Sequence, residues 1–271
     1  MMANRLPERY GAWALVAGAS EGLGAAFAGA LAGRGVNLLL IARRRDLLNE
    51  VAEDCRRRFG VETICLDADL AAPDFAESLL SAVSGLEVGI AVYNAAYAPV
   101  GDFAGADPAD ISRVIDVNVR GPARLLRALL PAMVERGRGA AILMSSLAGN
   151  CGAPGIAAYA ASKAFNRVLA ESLWRELKGR GIDVVACCAG AIRTPGFAQA
   201  SAKDAPGTVD PEFVAERALR ALGRGPVVVP GFVNALAAWA LSRLLSRRAA
   251  IGIMAGSTKG LARTPEAKAP S

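Results

Sequence analysis

The chain contains no histidine among its 271 residues. Ser–His and Cys–His nucleophile pairs, histidine-ligated zinc and histidine proton shuttles are therefore excluded, and no metal site is predicted. Any acid–base chemistry near neutral pH has to use a tyrosine, lysine, cysteine, aspartate or glutamate whose pKa is shifted from its ordinary value.

Paired cysteines and long apolar runs are missing as well. The five cysteines are scattered, without a C-x-x-C motif, which indicates buried thiols in a reducing compartment. The opening segment "MMANRLPERYGAW" has no apolar stretch typical of a secretory signal. No apolar run reaches the roughly 18–20 residues that a membrane span needs. These absences predict a cytoplasmic protein.

The composition is that of a folded protein with a sizeable core. Hydrophobic residues make up 53% of the chain and charged residues 21%, and the length fits one large domain better than two. The net charge is +6, but the basic runs "ARRR" (42–45) and "CRRRF" (55–59) are short and have acidic neighbours. Such runs are typical of solvated surfaces, so no nucleic-acid partner is predicted.

Apolar strand-like segments alternate with helical patterns along the chain. The strand-like segments are 13–18, 36–42, 62–67, 89–94, 140–146, 182–188 and 226–230, and the helical stretches include 23–34, 45–59, 110–136, 158–178 and 211–223. Near-continuous apolar strands are typical of a parallel sheet covered by helices on both faces. The sequence therefore predicts an α/β fold, a single-domain Rossmann-type doubly wound parallel sheet of about seven strands. This domain is expected over residues 1–256, followed by a disordered tail over 257–271.

A glycine-rich turn, "AGASEGLG" (17–24), follows the first strand and precedes the first long helix. Its glycines, at 18, 22 and 24, let the backbone turn sharply and let a pyrophosphate approach the N–H groups at the helix start. The turn predicts a dinucleotide site, and a purely structural packing role is the alternative.

The second strand ends in Arg43 and Arg44, at the point where NAD-binding proteins place a carboxylate for the ribose hydroxyls. A guanidinium complements a 2′-phosphate in charge and in geometry, so NADP(H) is the predicted cofactor. Glu21 in the glycine turn opposes a bound phosphate, and a solvated loop is the alternative interpretation of the arginine pair.

Tyr159 precedes Lys163 by four residues in a stretch with a helical pattern, which places both on one helix face. An ammonium beside a phenol favours the phenolate, so Lys163 is expected to lower the pKa of Tyr159 from its ordinary value of about 10. Tyr159 would then exchange a proton with a carbonyl or hydroxyl oxygen. Two solvated polar side chains on a helix surface are the alternative.

Seven motifs, in order between residues 12 and 230, resemble those of the short-chain dehydrogenase/reductase family. They are "AGASEGLG" (17–24), "DADL" (67–70), "YNAA" (93–96), "DVNVRG" (116–121), "SSLAG" (145–149), "YAASK" (159–163) and "AGAIRTP" (189–195). The resemblance implies a catalytic set formed by Asn118, Ser146, Tyr159 and Lys163. It also implies that the cofactor is held by Gly18, Ser20, Gly22, Leu23, Gly24, Arg43, Arg44, Asp69, Leu70, Asn94, Tyr159, Lys163, Ile192 and Thr194.

The sequence departs from the family pattern at three scaffold positions, which are Ala17, Ala96 and Ala189. These changes are expected to affect cofactor affinity and to leave the reactive groups untouched. Pro122 is a further feature of the "DVNVRG" region. It has no N–H to donate to the carbonyl of Asn118, which in the family is thought to lie beside a water that links the catalytic lysine to solvent. A simple helix kink is the alternative.

Two segments bear on the substrate. Residues 195–213 follow the sixth strand, where an active-site lid is expected. Beyond the last strand, the apolar extension 231–256 carries a stripe formed by Leu236, Trp239, Leu244 and Leu245. Packing against the body of the chain or against a partner subunit is the favoured interpretation, and peripheral membrane contact through 232–248 is the alternative.

These features together predict an NADP(H)-dependent oxidoreductase that acts on a small hydrophobic ketone or secondary alcohol, steroid-like or with an acyl chain. The resemblance implies a homodimer or a homotetramer. Two alternatives stay open, a reductase of carrier-bound 3-oxoacyl groups and a non-catalytic NADP(H)-binding sensor or scaffold. Ser146 argues against the sensor, because a protein that only binds the cofactor has no need of it.

Overall fold

A computed structural model describes residues 6–200 and 204–261 of the chain. Within them, seven strands form one sheet, namely β1 Trp13–Ala17, β2 Asn37–Ala42, β3 Thr63–Asp67, β4 Val88–Tyr93, β5 Gly139–Ser146, β6 Ile182–Ala189 and β7 Val227–Val228. The strands are parallel and lie in the order β3-β2-β1-β4-β5-β6-β7. The predicted doubly wound α/β fold is therefore confirmed.

The α-helices of the described residues are α1 Leu6–Tyr10, α2 Gly22–Ala32, α3 Arg45–Phe59, α4 Phe75–Ala82, α5 Pro108–Ile115, α6 Gly121–Arg136, α7 Ala157–Glu176, α8 Pro195–Ala200, α9 Pro211–Ala221, α10 Phe232–Arg243 and α11 Arg247–Thr258. In the part of the chain covered by the structure, no helix is long and apolar enough to cross a membrane.

Two hydrophobic cores cover the two faces of the sheet. One contains Phe27 of α2, Leu48 of α3 and Val214 of α9, and the other contains Leu79 of α4 and Leu125 of α6. Successive strand residues point to opposite faces of the sheet, so the residues of β1 enter the two cores alternately. The apolar strands seen in the sequence follow from this two-sided burial.

The prediction of one continuous helix over 110–136 is wrong, because the helix is interrupted in this range. A π-helical turn, Asp116–Arg120, separates α5 from α6. Pro122 has no N–H, and the N–H of Gly121 reaches back five residues to the carbonyl of Asp116, so the regular ladder does not continue here. Helix α4 was not among the predicted helices.

The C-terminal extension consists of two helices, α10 and α11. The four residues of the predicted apolar stripe, Leu236, Trp239, Leu244 and Leu245, are 39–65% exposed. The extension itself does pack on the body of the chain, with α10 against residues 147–150 and Met254 of α11 against Ala148, Ala153 and Ala160, but the predicted stripe is not the face that it buries. Helix α11 ends at Thr258, two residues inside the predicted tail, while residues 262–271 of that tail lie outside the described residues.

Candidate active site

The carboxyl end of β5 brings Ser146 to Tyr159 of α7. The hydroxyl of Ser146 accepts a hydrogen bond from the N–H of Ala148 at 3.2 Å, which leaves its own O–H to donate. This hydroxyl lies close enough to the phenol of Tyr159 to lower the pKa of that phenol. Helix α7 packs directly on β5 and β6, so the position of the phenol relative to Ser146 is fixed by the core.

Lys163 lies on the same helix face and is 3% exposed. Its Nζ donates a 2.9 Å hydrogen bond to the carbonyl oxygen of Met144 and lies 5.5 Å from the ring centroid of Tyr159. Burial lowers the pKa of Lys163 to about 8, with a small opposing effect from Cys188. The two side chains are therefore neighbours, as the four-residue spacing predicts.

The predicted lowering of the Tyr159 pKa is not observed in the protein alone. Burial raises the pKa of Tyr159, and the nearby Ser146 hydroxyl offsets part of that effect. The ammonium of Lys163 is directed to the carbonyl of Met144 instead of the phenolic oxygen. The pKa of Tyr159 is consequently set by removal of the phenol from water and not by the attraction between phenolate and ammonium on which the prediction relied.

Asn118 is fully buried in the π-helical turn, and its side chain is held on both sides. Its Nδ2 donates to the carbonyl of Tyr97 at 2.8 Å and to the hydroxyl of Ser162 at 3.0 Å. Its Oδ1 accepts from the N–H of Tyr97, also at 2.8 Å. Ser162 directly precedes Lys163, so Asn118 fixes the π-helical turn against the part of α7 that carries Lys163.

The glycine turn lies against the end of β4. Gly18 has a φ of 79°, and a Cβ on it would lie 2.7 Å from the Cα of Ala95. The side-chain amide of Asn94 donates to the carbonyl of Gly18 at 2.9 Å. Asn94 therefore holds the turn in place at the point where β1 and β4 meet, which is the switch point at which ligands bind in this fold.

Gly22 faces the segment after β6. A Cβ on Gly22 would lie 3.0 Å from Cγ2 of Thr194, and at a φ of 54° any side chain would be strained. Gly22 and Thr194 therefore approach each other so closely that a Cβ at position 22 would force Thr194 to move. Leu23 and Gly24 continue into the first turn of α2, where a Cβ on Gly24 would collide with the carbonyl of Gly18 at 1.9 Å. The predicted cofactor turn is thus built for close backbone approach.

Ser20 and Arg44 form a polar group beside that turn. Nη2 of Arg44 donates to Oγ of Ser20 at 3.0 Å and forms a 2.7 Å ion pair with Glu21. Glu21 is the N-cap residue of α2, and its carboxylate pairs with Arg44 instead of capping the helix. A hydroxyl and a guanidinium therefore meet where a 2′-phosphate is predicted, while Arg43 is exposed and its charge acts on Asp69.

Asp69, predicted beside the adenine, is held by two donors. The N–H of Ala71 and the guanidinium of Arg113 donate to its carboxylate at 3.0 and 2.9 Å. Burial acts to raise the pKa of Asp69, but these bonds and the charges of Arg113 and Arg43 hold it below its ordinary value. Leu70 is 5% exposed and packs in the core beneath.

Ile192 and Thr194 lie where β6 leads into the predicted lid. Ile192 forms an isolated parallel bridge with Val209, and Oγ1 of Thr194 accepts a hydrogen bond from the N–H of Phe197 at 3.2 Å. Arg193, between them, forms ion pairs with Asp204 and Asp210 at 2.8 and 2.6 Å. These contacts hold both ends of the segment, while residues 201–203 of the predicted lid lie outside the described residues.

Several residues of this region were not singled out from the sequence. Ser162, Tyr97 and Arg113 hold predicted site residues through their side chains or backbone. Ser162 lies inside the "YAASK" motif and could have been noted there. The contact between Arg113 and Asp69 spans 44 residues, and no local pattern indicates it.

The strand order and the glycine turn after β1 define a Rossmann-type fold. A family model described as short chain dehydrogenase matches residues 12–205. The chain therefore belongs to the short-chain dehydrogenase/reductase family and is an oxidoreductase of a family that uses a nicotinamide cofactor.

Named relatives and a solved structure agree with this membership. The chain is 33% identical over 230 residues to a 7beta-hydroxysteroid dehydrogenase of Clostridium sardiniense, covering 84% of this chain and 88% of the relative. It is 36% identical over 180 residues to a very-long-chain 3-oxoacyl-CoA reductase of Mus musculus, covering 65% of this chain and 58% of the relative. A short-chain dehydrogenase from Sphingobium yanoikuyae in complex with NADPH superimposes with a TM-score of 0.76 and 32% identity, covering 89% of this chain and 94% of that one.

Proposed function

We propose that this protein is an NADP(H)-dependent oxidoreductase that interconverts hydrophobic ketones and secondary alcohols, with Tyr159 as the general acid and base. The observation that carries the proposal is the phenol of Tyr159 next to the Ser146 hydroxyl on one side and the buried ammonium of Lys163, 5.5 Å from its ring centroid, on the other. A protein that only binds a nucleotide has no use for a donor pair at this position.

The residues of the site fit a dinucleotide. The glycine turn provides backbone that a pyrophosphate can approach closely, and the donors of Ser20, Arg43 and Arg44 suit a 2′-phosphate. When bound, NADPH supplies the hydride for the carbonyl carbon. Thr194 and Ile192, across the cleft from Gly22, are proposed to hold the nicotinamide end.

Proton transfer is assigned to this chain's own residues. Ser146 donates a hydrogen bond to the carbonyl oxygen of the substrate, and Tyr159 gives its phenolic proton to the same oxygen. The raised pKa of Tyr159 keeps the phenol protonated in the free protein, which is the form needed for reduction. Lys163 stabilises the phenolate that is left, and Asn118 keeps the catalytic face of α7 in position.

The substrate class is proposed from the site and from the relatives. The surroundings of Tyr159 are apolar, with Ala148, Ala153, Ala160 and Ile156 in one cluster. One relative is named for a hydroxysteroid and another for a 3-oxoacyl-CoA. A bulky hydrophobic ketone therefore suits this chain, and the mouse relative favours a thioester-linked 3-oxoacyl group as a second candidate.

The test is a spectrophotometric screen with NADPH or NADH, using cyclic and steroid-like ketones and 3-oxoacyl thioesters, with Tyr159→Phe as the matched variant. We expect the unmodified protein to oxidise NADPH with a bulky ketone. The variant should lose at least about 100-fold in kcat while keeping its NADPH affinity within about twofold, because only the transferable proton is removed. Retained NADPH binding without turnover in the unmodified protein would favour the sensor, and an active Tyr159→Phe enzyme would refute the assignment of the acid.

A further inference from the structure

The loop that joins Ser146 to α7 is in contact with α11, the second helix of the C-terminal extension. This loop, residues 147–156, leaves the end of β5 and enters α7 just before Tyr159. Helix α11 follows more than 90 residues later, after the sheet is complete, and returns to this loop. Its contacts therefore connect the end of the extension to the backbone between the two proposed proton-transfer residues.

Both ends of α11 are held to the loop by hydrogen bonds. At its start, Nη1 of Arg247 donates to the carbonyl of Asn150 at 2.8 Å. At its end, Oγ1 of Thr258 donates to the carbonyl of Pro154 at 2.7 Å. These two bonds align the helix along the loop.

The middle of α11 packs on the same loop through apolar side chains. A Cβ on Gly152 would lie 3.5 Å from Cγ1 of Ile251, which is an ordinary van der Waals distance. Ala250 is 2% exposed, whereas Ile253, at the edge of this face, is 53% exposed. Residues 250, 251, 254 and 258 thus form the inner face of an amphipathic helix.

Met254, on that inner face, packs against the same apolar cluster as Tyr159. The cluster is formed by the buried residues Ala148, Ala153 and Ala160, and the partly buried Ile156, Tyr159 and Met254 pack against it. A carbonyl oxygen placed between Ser146 and Tyr159 leaves one substituent of the ketone next to this cluster. The thioether of Met254 is unbranched and polarisable, so it adapts to apolar groups of different shape.

We propose that α11 forms one wall of the substrate pocket and that Met254 is a specificity-determining residue, which contacts the apolar substituent on the Tyr159 side of the ketone. This inference rests on the proposed function. In this arrangement, a residue more than 90 positions away from the catalytic motif limits the size of the substituent that the pocket accepts on the Tyr159 side.

The first test compares Met254→Trp with the matched control Ile253→Trp at the exposed edge of the same helix face. The substrates are cyclohexanone and a fused-ring ketone, both with NADPH. We expect Met254→Trp to reduce kcat/KM for the fused-ring ketone by about tenfold or more relative to cyclohexanone, because the indole fills the space next to Tyr159. Ile253→Trp should leave that ratio within about twofold.

The second test needs no turnover. Met254→Cys and Ile253→Cys are labelled with a maleimide and read by peptide mapping, with and without NADPH plus a fused-ring secondary alcohol, a pair that cannot react. We expect the ligands to slow labelling at position 254 by about fivefold and to leave position 253 unaffected, because a pocket buries most of its ligand.

The outcomes separate the two proposals. If the unmodified protein reduces neither ketone, the proposed function is wrong. If it is active but Met254→Trp changes both ketones in parallel, or the labelling rates at 254 and 253 respond equally, the role of Met254 is refuted and the proposed function stands.

Discussion

The phenol of Tyr93 donates a 2.5 Å hydrogen bond to the carbonyl oxygen of Val117. In a regular helix this carbonyl would accept from Gly121, but the N–H of Gly121 bonds to Asp116 in the π-helical turn. Tyr93 is 1% exposed and supplies the missing donor from the end of β4. The turn that carries Asn118 is thus held by the sheet itself.

Restoring an N–H at position 122 tests what the turn does. We expect Pro122→Ala to let the helical ladder close through the carbonyl of Asn118, which moves this residue away from Ser162. The change should lower kcat by about tenfold, while thermal stability stays equal or rises. Measurement of kcat against pH, together with a melting curve, distinguishes the two effects. An unchanged rate and pH profile would mean that the interruption is only structural.

Cofactor preference is expected to depend on the balance between Arg44 and Glu21. Replacement of both Arg43 and Arg44 by Ala should weaken NADPH binding by about 10- to 100-fold and NADH binding by about twofold, since only NADPH carries the 2′-phosphate. Glu21→Gln should strengthen NADPH binding by about threefold, because it removes the negative charge that now pairs with Arg44.

Titration of fluorescence at equilibrium measures both cofactors, and Arg45→Ala serves as the neighbouring control. Equal losses for NADPH and NADH in the double variant, or an NADH preference in the unmodified protein, would contradict the NADP(H) assignment.

Lys163 is expected to destabilise the free protein at neutral pH. Its pKa in the folded chain is about 8, below the ordinary value of 10.5, so folding disfavours the charged form. The resulting penalty is complete below pH 8, shrinks as the pH rises to 10.5 and is absent above that. Lys163→Met should therefore raise the free energy of unfolding by about 1–3 kcal/mol at pH 7 while abolishing activity.

Denaturant unfolding at pH 7 and pH 10 is the measurement, and the exposed Lys259→Met is the control. The increase in the free energy of unfolding caused by Lys163→Met should be smaller at pH 10 than at pH 7. A gain that is the same at both pH values, or a loss at pH 7, would show that burial of the ammonium is not the cause.

The exposed face of α10 is expected to be an interface between copies of the chain. Phe232, Leu236 and Trp239 are 82%, 52% and 54% exposed and recur at helical spacing, so they form an apolar face that residues 6–200 and 204–261 leave uncovered. Leu236→Ser combined with Trp239→Ser should reduce the molar mass by light scattering. Leu80→Ser, on an equally exposed residue of α4, should not.

Flotation with anionic vesicles separates this interpretation from the membrane alternative. An unchanged mass with loss of vesicle binding would favour lipid contact over subunit contact. An unchanged mass and unchanged flotation would refute both.

Local sequence patterns predicted most of the helices and strands. The predictions failed where the structure depends on contacts between distant parts of the chain. Helix α3 spans Arg45–Phe59, as predicted, because its periodicity is strong and Gly60 ends it in a left-handed conformation. The break between α10 and α11 could have been found, since the side chain of Ser246 caps α11. The contact of Met254 with the Tyr159 cluster could not, because it depends on how a distant helix returns to the loop.

The site residues divide in the same way. The spacing of Tyr159 and Lys163 is a local property, and the structure places them together. The direction of the Lys163 ammonium, to the carbonyl of Met144, depends on the packing of α7 on β5. Its effect on the pKa of Tyr159 was for that reason beyond the reach of the sequence.

Because β1 lies beside β4, binding of a nucleotide at this boundary is expected to affect the stability of the whole sheet. Strands β1–β3 come from the first third of the chain and β4–β7 from the rest, and the two groups meet only along β1 and β4. The bond from Asn94 to Gly18 crosses that boundary, and so does the close approach of Gly22 to Thr194. A dinucleotide bound to the glycine turn and to Ile192 and Thr194, as proposed, touches both groups of strands, so its binding energy opposes their separation. The melting temperature should then rise with nucleotide concentration, by an amount that mass action sets.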